Sequence, residues 1–281
     1  MSGLLFGAIY ALIALSLALI FGVMRVLNFA HGDLLMVAMY GVALLHQTFG
    51  LHPYAAALAM LPLMGFAGAV LFRVLIRPVL AADPLTQAQL TLGLSFILQS
   101  LMLWYWGADL VNVPTRLNSQ ALRLGGVVLS MPLLLAAAIS LAASLLLAWF
   151  LLRTETGWKV RATAEDPTMA TLSGIGVARV HMLVFAGGIG LLAIPAGLMM
   201  TYDYVTPYVG IRFSILSLLI VTLGGLGDLM GAFVGGLAIG LIESLASALI
   251  PGPASGSMVY IVFGILLLVR PRGLFARGLM A

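Results

Sequence analysis

The sequence lacks cysteine, contains a single lysine and is poor in charge of either sign. Charged residues make up only 8% of its 281 residues, against about 25% in typical soluble domains. Without cysteine, the chain can form neither a disulfide framework nor a thiolate site. The lysine, Lys159, is followed by Val160 rather than by the serine or threonine that ends a phosphate-binding loop. We therefore expect no ATP-binding loop of that type in this chain.

Two further function classes are excluded by how the titratable residues are placed. The four histidines show neither the four-residue spacing nor the neighbouring carboxylate of a zinc site, so we expect no metal centre. The basic residues lie mainly at the ends of apolar runs, where membrane topology accounts for them, so we expect no nucleic-acid partner.

The sequence is rich in hydrophobic residues, which make up 63% of the chain and form long apolar runs. A helix needs roughly 20 apolar residues to cross a bilayer, and the short alternating segments of a membrane barrel are absent. We predict an all-α integral membrane protein, with one transmembrane domain over residues 1–281 and a bundle of about eight to nine spans. The predicted spans are Gly3 to Val23, Phe29 to Phe49, Tyr54 to Ile76, Gln89 to Gly107, Val127 to Leu152, Met182 to Thr201, Phe213 to Leu226, Met230 to Ile250 and Ser257 to Val269.

The seventh of these windows is too short to cross upright, and glycines follow it, so we predict a broken or re-entrant segment there. Positive charges near span ends form one alternating set of connections, which the positive-inside rule assigns to the cytoplasm. Nine spans would place the amino terminus outside, and a re-entrant seventh window would place it inside. The basic set consists of Arg73, Arg77, Arg153, Lys159, Arg161, Arg179, Arg270, Arg272 and Arg277.

The most charged connection, at about residues 153–181, contains signals for a short helix. Asp166 followed by Pro167 is typical of a helix start, and Gly174 is typical of a helix end. We expect this helix to lie across the cytoplasmic membrane face, where Met169 and Leu172 fit a groove on another protein. The alternative is a solvated linker with helix caps.

Polar and ionisable residues within apolar runs are costly, so they are candidates for the translocation path. Asn28, His31 and Asp33 form one polar group, suited to a zwitterionic amino acid, and Glu243 lies within a later span. The alternative is that the first three satisfy backbone groups at a span end and that Glu243 has a hydrogen-bonded packing role.

Two segments resemble a known family. The charged connection follows the pattern G-x-x-x-R-A, then a carboxylate, then A-x-L-x-G-I, which resembles the coupling loop of ABC-transporter permeases. The amino-terminal region, with NFAHGD at residues 28–33, is similar to the LivH branch of the high-affinity branched-chain amino acid permeases, the LivH/LivM family. The resemblance extends to GGLGDLMGAFVGGLAIGLIE and to the VRPRGLF ending.

This resemblance implies a permease subunit in the cell inner membrane that imports branched-chain or related amino acids. Its expected partners are a LivM-like second permease subunit or a second copy of itself, two cytoplasmic ATP-binding subunits and a periplasmic solute-binding protein. The chain itself would hold no cofactor, because ATP and magnesium would bind to the ATPase subunits. The residues that match the ATPase-coupling motif are Gly157, Arg161, Ala162, Glu165, Asp166, Ala170, Leu172 and Gly174.

Three alternative functions stay open at this point. Related permeases that serve urea or short amides are not distinguished by the path residues. A stand-alone secondary transporter or channel would need ion-coupling carboxylates, for which Asp33 and Glu243 are the candidates. An intramembrane serine protease would pair Ser95, in a glycine-x-serine pattern, with His181 as its base.

Overall fold

The structure is a computed structural model that describes residues 2–113, 115, 121–124, 127–249 and 254–269. A π-helical turn, Phe72–Ile76, joins the third and fourth helices into one continuous span. The helices are α1 (Ser2–Met24), α2 (His31–Phe49), α3 (Pro53–Leu71), α4 (Arg77–Val79), α5 (Pro84–Trp106), α6 (Met131–Arg153), α7 (Glu155–Glu165), α8 (Pro167–Leu172), α9 (Val177–Leu191), α10 (Ala193–Met199), α11 (Val209–Gly224), α12 (Leu229–Leu249) and α13 (Ala254–Val269).

The predicted all-α polytopic membrane fold is confirmed. Six helices or helix pairs of the described chain are long and apolar enough to span a bilayer. The seventh predicted window corresponds to α11, which has only 16 residues, and the number of spans stays a prediction. The span formed by α9 and α10 is interrupted at Leu192, where Pro195 lacks the amide hydrogen that would bond to the Leu191 carbonyl.

The window that begins at Val127 is wrong over its first turn, because residues there form a β-hairpin. Strand β1 (Ala121–Leu124) pairs antiparallel with β2 (Val127–Ser130), with Ala121 opposite Ser130. Helix α6 starts only at Met131, since Pro132 favours the first turn of a helix.

Glycines on α12 let it pack at backbone distance against two other helices. An added Cβ at Gly236 would overlap Ala11 of α1, and one at Gly240 would overlap Gly3 and Gly7. On the other face of α12, an added Cβ at Gly231 would overlap Gly224 of α11. Small residues permit this close approach where the surrounding lipid supplies no hydrophobic driving force.

The packing defines two sides of the bundle. Helices α1 and α12 are antiparallel, because Gly3 lies against Gly240 and Gly22 against Gly227. Helices α7 and α8 follow the end of α6 and contact α9, and we call this the α8 side. Ser2 and Met199 lie together at the other end of the bundle, which we call the opposite side.

The predicted basic residues fall into three connections between spans or after the last span, and two of these connections lie on the α8 side. Arg73, Arg77 and Arg179 line one small cavity there, and Lys159 and Arg161 lie on α7. The third basic connection, at residues 270–277, lies outside the described residues.

Candidate functional site

The predicted short helix is present as α8. The carboxylate of Asp166 accepts hydrogen bonds from the amides of Thr168 (2.8 Å) and Met169 (3.0 Å), which caps its first turn. Gly174 follows the helix with φ of 81°, a conformation that glycine adopts without strain. Both ends of α8 are therefore fixed by the residues that predicted them.

The cationic stretch before α8, which we predicted to be a loop, is instead the helix α7. The Thr154 hydroxyl accepts a hydrogen bond of 3.0 Å from the Gly157 amide and caps this helix. Gly157 is buried, and an added Cβ would overlap the carbonyl oxygen of Leu151. Glycine at this position thus allows α7 to fold back onto the end of α6.

The predicted coupling residues differ in exposure, and this divides them into packing and surface positions. Gly157 and Ala170 are buried, and Ala162 and Asp166 are half-buried. The remaining four are exposed on the α8 side: Arg161, Glu165, Leu172 and Gly174.

Three large apolar side chains stand out of this otherwise polar surface. Leu172 is 76% exposed, Met169 is 60% exposed and Trp158 is 55% exposed. We call these three residues the α8 patch. They lie on α7 and α8, at the end of the bundle. Trp158 was not among the predicted coupling residues.

Asp33 lies in a buried polar cluster between α2 and α5. Its side chain is fully buried and accepts hydrogen bonds from the Ser95 hydroxyl and from Gln99 Nε2, the latter at 3.0 Å. Gln99 Nε2 also donates a hydrogen bond of 2.9 Å to the Ser95 hydroxyl oxygen. Hydrogen bonds are what allow a carboxyl group to stay in such apolar surroundings, and no basic side chain pairs with Asp33 in the described part of the chain.

The start of α2 also crosses α11 at backbone distance. The amide of Gly32 donates a hydrogen bond of 2.8 Å to the Ser214 hydroxyl. An added Cβ at Gly32 would overlap the Gly210 carbonyl, and one at Gly210 would overlap the Asp33 carboxyl group. The two glycines therefore hold the Asp33 cluster against α11.

A polar stripe on α5 contacts the segment that precedes α2 through Thr91. Thr91 Oγ1 lies 3.3 Å from both the Phe29 amide and the Leu27 carbonyl, so it satisfies backbone groups of the non-helical connection between α1 and α2. Irregular backbone inside a membrane bundle requires such protein partners. The stripe repeats at four-residue spacing: Gln87, Thr91, Ser95 and Gln99.

The other two residues of the predicted polar group are buried beside this cluster. His31 Nε2 lies 2.9 Å from the Ser16 hydroxyl and 3.1 Å from the Ile13 carbonyl. The Oδ1 of Asn28 accepts a hydrogen bond of 3.2 Å from the Ala30 amide. Asn28 Nδ2 and His31 Nδ1 have no hydrogen-bond partner among the residues described. In this conformation, the predicted path residues Asn28, His31 and Asp33 all face protein.

A cavity of about 370 Å³ opens on the opposite side of the bundle. Its polar lining includes Tyr10 of α1, Tyr202 and Asp203 from the connection after α10, Arg212 of α11 and Glu243 of α12. Pockets that hold small ligands typically measure about 300–1,000 Å³ and combine apolar walls with a few polar groups. The volume of the cavity lies within this range, and its wall combines polar and apolar residues.

An ion pair lies in the wall of this cavity. Arg212 Nη2 and Glu243 Oε1 are 3.1 Å apart, and their side chains are 53% and 25% exposed. The guanidinium group also lies 5.7 Å from the centre of the Phe213 ring. Glu243, the fourth predicted path residue, therefore lies half-buried at a cavity rather than enclosed in the bundle.

Aromatic side chains form the rest of the wall. The Phe6 ring lies 6.1 Å from Tyr202 in an edge-on arrangement and 6.5 Å from Tyr10. Loss of contact with water raises the pKa of Tyr202 well above its ordinary value, so its hydroxyl stays a hydrogen-bond donor at neutral pH.

The side chains that a serine protease would need do not meet. Ser95 bonds to Asp33 and Gln99, whereas His181 Nε2 is buried with no partner within the described ranges. The described residues also contain no group of three or more side chains suited to holding a metal ion.

The fold and these sites define a multi-pass membrane protein with exposed apolar side chains on α7 and α8 on one side and a cavity of about 370 Å³ on the other. The family described as "Branched-chain amino acid transport system / permease component" matches residues 1–270, and the chain belongs to this family. It is thus a transport permease component and not an enzyme.

Named relatives are similar over almost their whole length. The "High-affinity branched-chain amino acid transport system permease protein LivH" of Escherichia coli is 29% identical, over 98% of this chain and 94% of the relative. The LivH protein of Salmonella typhimurium is also 29% identical, with the same coverage. The permease protein BraD of Pseudomonas aeruginosa, named for the same kind of system, is 28% identical, again over 98% and 94%.

Proposed function

We propose that this chain is the permease subunit of an ATP-driven importer of branched-chain amino acids in the cell inner membrane. The observation that carries the proposal is the α8 patch, on a capped helix whose sequence pattern resembles the coupling loop of ABC permeases. A permease family and a protein-docking surface together favour a transporter driven by a second protein over a channel or an ion-coupled carrier.

The orientation follows from charge. Arg73, Arg77, Lys159, Arg161 and Arg179 lie on the α8 side, and basic residues near span ends favour the cytoplasm. This places the α8 patch where cytoplasmic ATPase subunits can reach it. The cavity at Arg212 and Glu243 then faces the periplasm, where a solute-binding protein delivers substrate.

The complex we propose contains two permease subunits, two ATP-binding subunits and a solute-binding protein. The second permease subunit is either a related chain or another copy of this one. ATP and magnesium bind to the ATPase subunits, and this chain contributes no catalytic group.

The role of α7 and α8 in this proposal is mechanical. ATP-driven closure of the ATPase subunits can shift the permease only if they bind one of its conformations more tightly than the other. Helix α8 transmits that preference through α7, which packs against the ends of α6 and α1, and through its contact with α9. Close backbone contacts such as Gly157 on Leu151 make this connection stiff.

The test is co-purification of the chain with the ATPase subunits encoded beside its gene. Leu172→Asp and Glu165→Arg change exposed side chains on α8 and α7, so we expect both variants to fold and to lose the ATPase. Gly157→Asp is unsuitable, because its side chain would enter a buried backbone contact.

Matched controls place the same changes on the opposite side. Leu110 is 64% exposed and Asp109 is exposed beside it, so Leu110→Asp and Asp109→Arg should retain the ATPase. The proposal is wrong if wild type binds no ATPase, or if the α8 variants retain it as fully as the controls.

A further inference from the structure

The Arg212–Glu243 pair uses only a part of the hydrogen-bonding capacity of its two side chains. A guanidinium group carries five N–H donors and a carboxylate carries two acceptor oxygens. One Nη2 to Oε1 contact of 3.1 Å joins them, and the arginine side chain, which lines the cavity, remains 53% exposed. Both groups can therefore bind a further charged ligand without first separating.

The cavity is lined by charged groups of both signs, which suits a molecule that carries both signs. Asp203 and Glu243 supply two carboxylates against the single guanidinium of Arg212. One oxygen of Asp203 is occupied by the Tyr204 amide at 2.8 Å. A free carboxylate ligand would meet two like charges, and a free amine would meet an arginine, whereas a zwitterion satisfies both kinds of group.

We propose that this cavity is a binding site for a zwitterionic α-amino acid on the periplasmic side of the permease. Arg212 binds the α-carboxylate, and Glu243 together with Asp203 binds the α-ammonium group. Tyr10 and Tyr202 also line the cavity and carry hydroxyl groups for further polar contacts.

The remaining wall suits an aliphatic side chain. Phe6, Met199 and Phe213 line the cavity and supply apolar surface. The Phe6 ring packs against the rings of Tyr10 and Tyr202, which gives an aromatic surface in the cavity wall. A branched-chain amino acid therefore matches both halves of the cavity.

This inference rests on the proposed function for the identity of the substrate, but its test does not depend on transport. The assembled complex is placed in lipid nanodiscs without the solute-binding protein, so that only a site on the membrane subunits can bind the probe. Binding of radiolabelled leucine is measured at equilibrium. Leucinamide, which lacks the carboxylate, and 4-methylpentanoate, which lacks the ammonium group, compete with it.

We expect wild type to bind leucine saturably and to prefer it to both competitors. Arg212→Gln should raise the Kd for leucine by about tenfold to a hundredfold, the range for a lost hydrogen bond between charged groups. It should also abolish the preference over leucinamide, while Glu243→Gln should abolish the preference over 4-methylpentanoate. Arg212→Lys keeps the charge and should lie between wild type and Arg212→Gln.

Two substitutions of the same chemistry serve as controls. Arg73→Gln lies on the α8 side, and Asp109→Asn exchanges a carboxylate for an amide outside the cavity. Both should bind leucine as wild type does.

ATP-dependent leucine import by the same purified complex, placed in proteoliposomes with its solute-binding protein, separates the two proposals. If the complex imports leucine but binds none in the nanodisc, or if Arg212→Gln binds as the controls do, this site is wrong and the proposed function stands. If the complex does not import leucine but binds it with the predicted discrimination, the site stands and the proposed function is wrong. A preference for leucinamide in wild type would overturn the assignment in favour of a cationic ligand.

Discussion

The cap of α8 offers a quantitative test of how the coupling surface is held. Asp166→Ala removes the acceptor for the amides of Thr168 and Met169. Loss of such a cap costs about 1 kcal/mol, which is about fivefold in an equilibrium constant. Only Ala170 of α8 is buried, so little packing compensates for the loss. We expect amide hydrogen exchange in α8 to become about fivefold faster.

The assay is hydrogen exchange followed by mass spectrometry on peptides that cover α8. Asp166→Asn is the matched control, because an asparagine oxygen accepts the same hydrogen bonds and asparagine is an equally good cap. Its exchange should stay within about twofold of wild type, and retention of the ATPase should follow exchange across the variants. If asparagine behaves like alanine, the charge of Asp166 and not its capping geometry matters, and the reasoning is refuted.

Three further predictions concern packing, the buried cluster and the α8 patch. Gly240→Val would overlap α1 and should lower the thermal unfolding midpoint by an amount equivalent to about 1–3 kcal/mol. The control Gly93→Ala has nothing within 4 Å of the added Cβ and should not lower the midpoint. Equal midpoints for the two variants would contradict the packing of α12 on α1. Asp33→Ala removes the acceptor of the Ser95 hydroxyl and of Gln99 Nε2 and should lower the free energy of unfolding by about 1–3 kcal/mol. Asp33→Asn should unfold at a higher temperature than Asp33→Ala. The reverse order would refute the hydrogen-bonded cluster. Trp158→Ala should leave the unfolding midpoint unchanged and reduce ATPase retention, and a variant that unfolds early but retains the ATPase would show that Trp158 is a packing residue.

Span positions could be predicted because hydrophobic length alone determines them. The predicted window Met230 to Ile250 differs from α12 by one residue at each end, and α1 matches its window equally closely. The hairpin Ala121–Ser130 was missed because its apolar residues continue the hydrophobic run of α6, and only Pro132 indicated a later start. Helix α7 was missed because its cap and its buried glycine act through contacts with the end of α6 rather than through apolar periodicity.

The sequence predicted several residues of the candidate sites but not the contacts that these residues make. Asp33 and Glu243 stood out because a carboxyl group in an apolar run is costly. The partners of Asp33 lie on α5, and the four-residue repeat of polar side chains from Gln87 to Gln99 was the signal that would have found them. Arg212 was missed because a basic residue at a span end is also explained by topology, and its pairing with Glu243 depends on how α11 and α12 pack.

The most direct measurement is ATP-driven uptake of leucine into proteoliposomes that contain the purified complex and its solute-binding protein. The account predicts uptake that requires ATP, that is abolished by Leu172→Asp and that is retained by Leu110→Asp. Uptake that continues without ATP, or that Leu172→Asp leaves intact, would contradict a permease driven through the α8 patch.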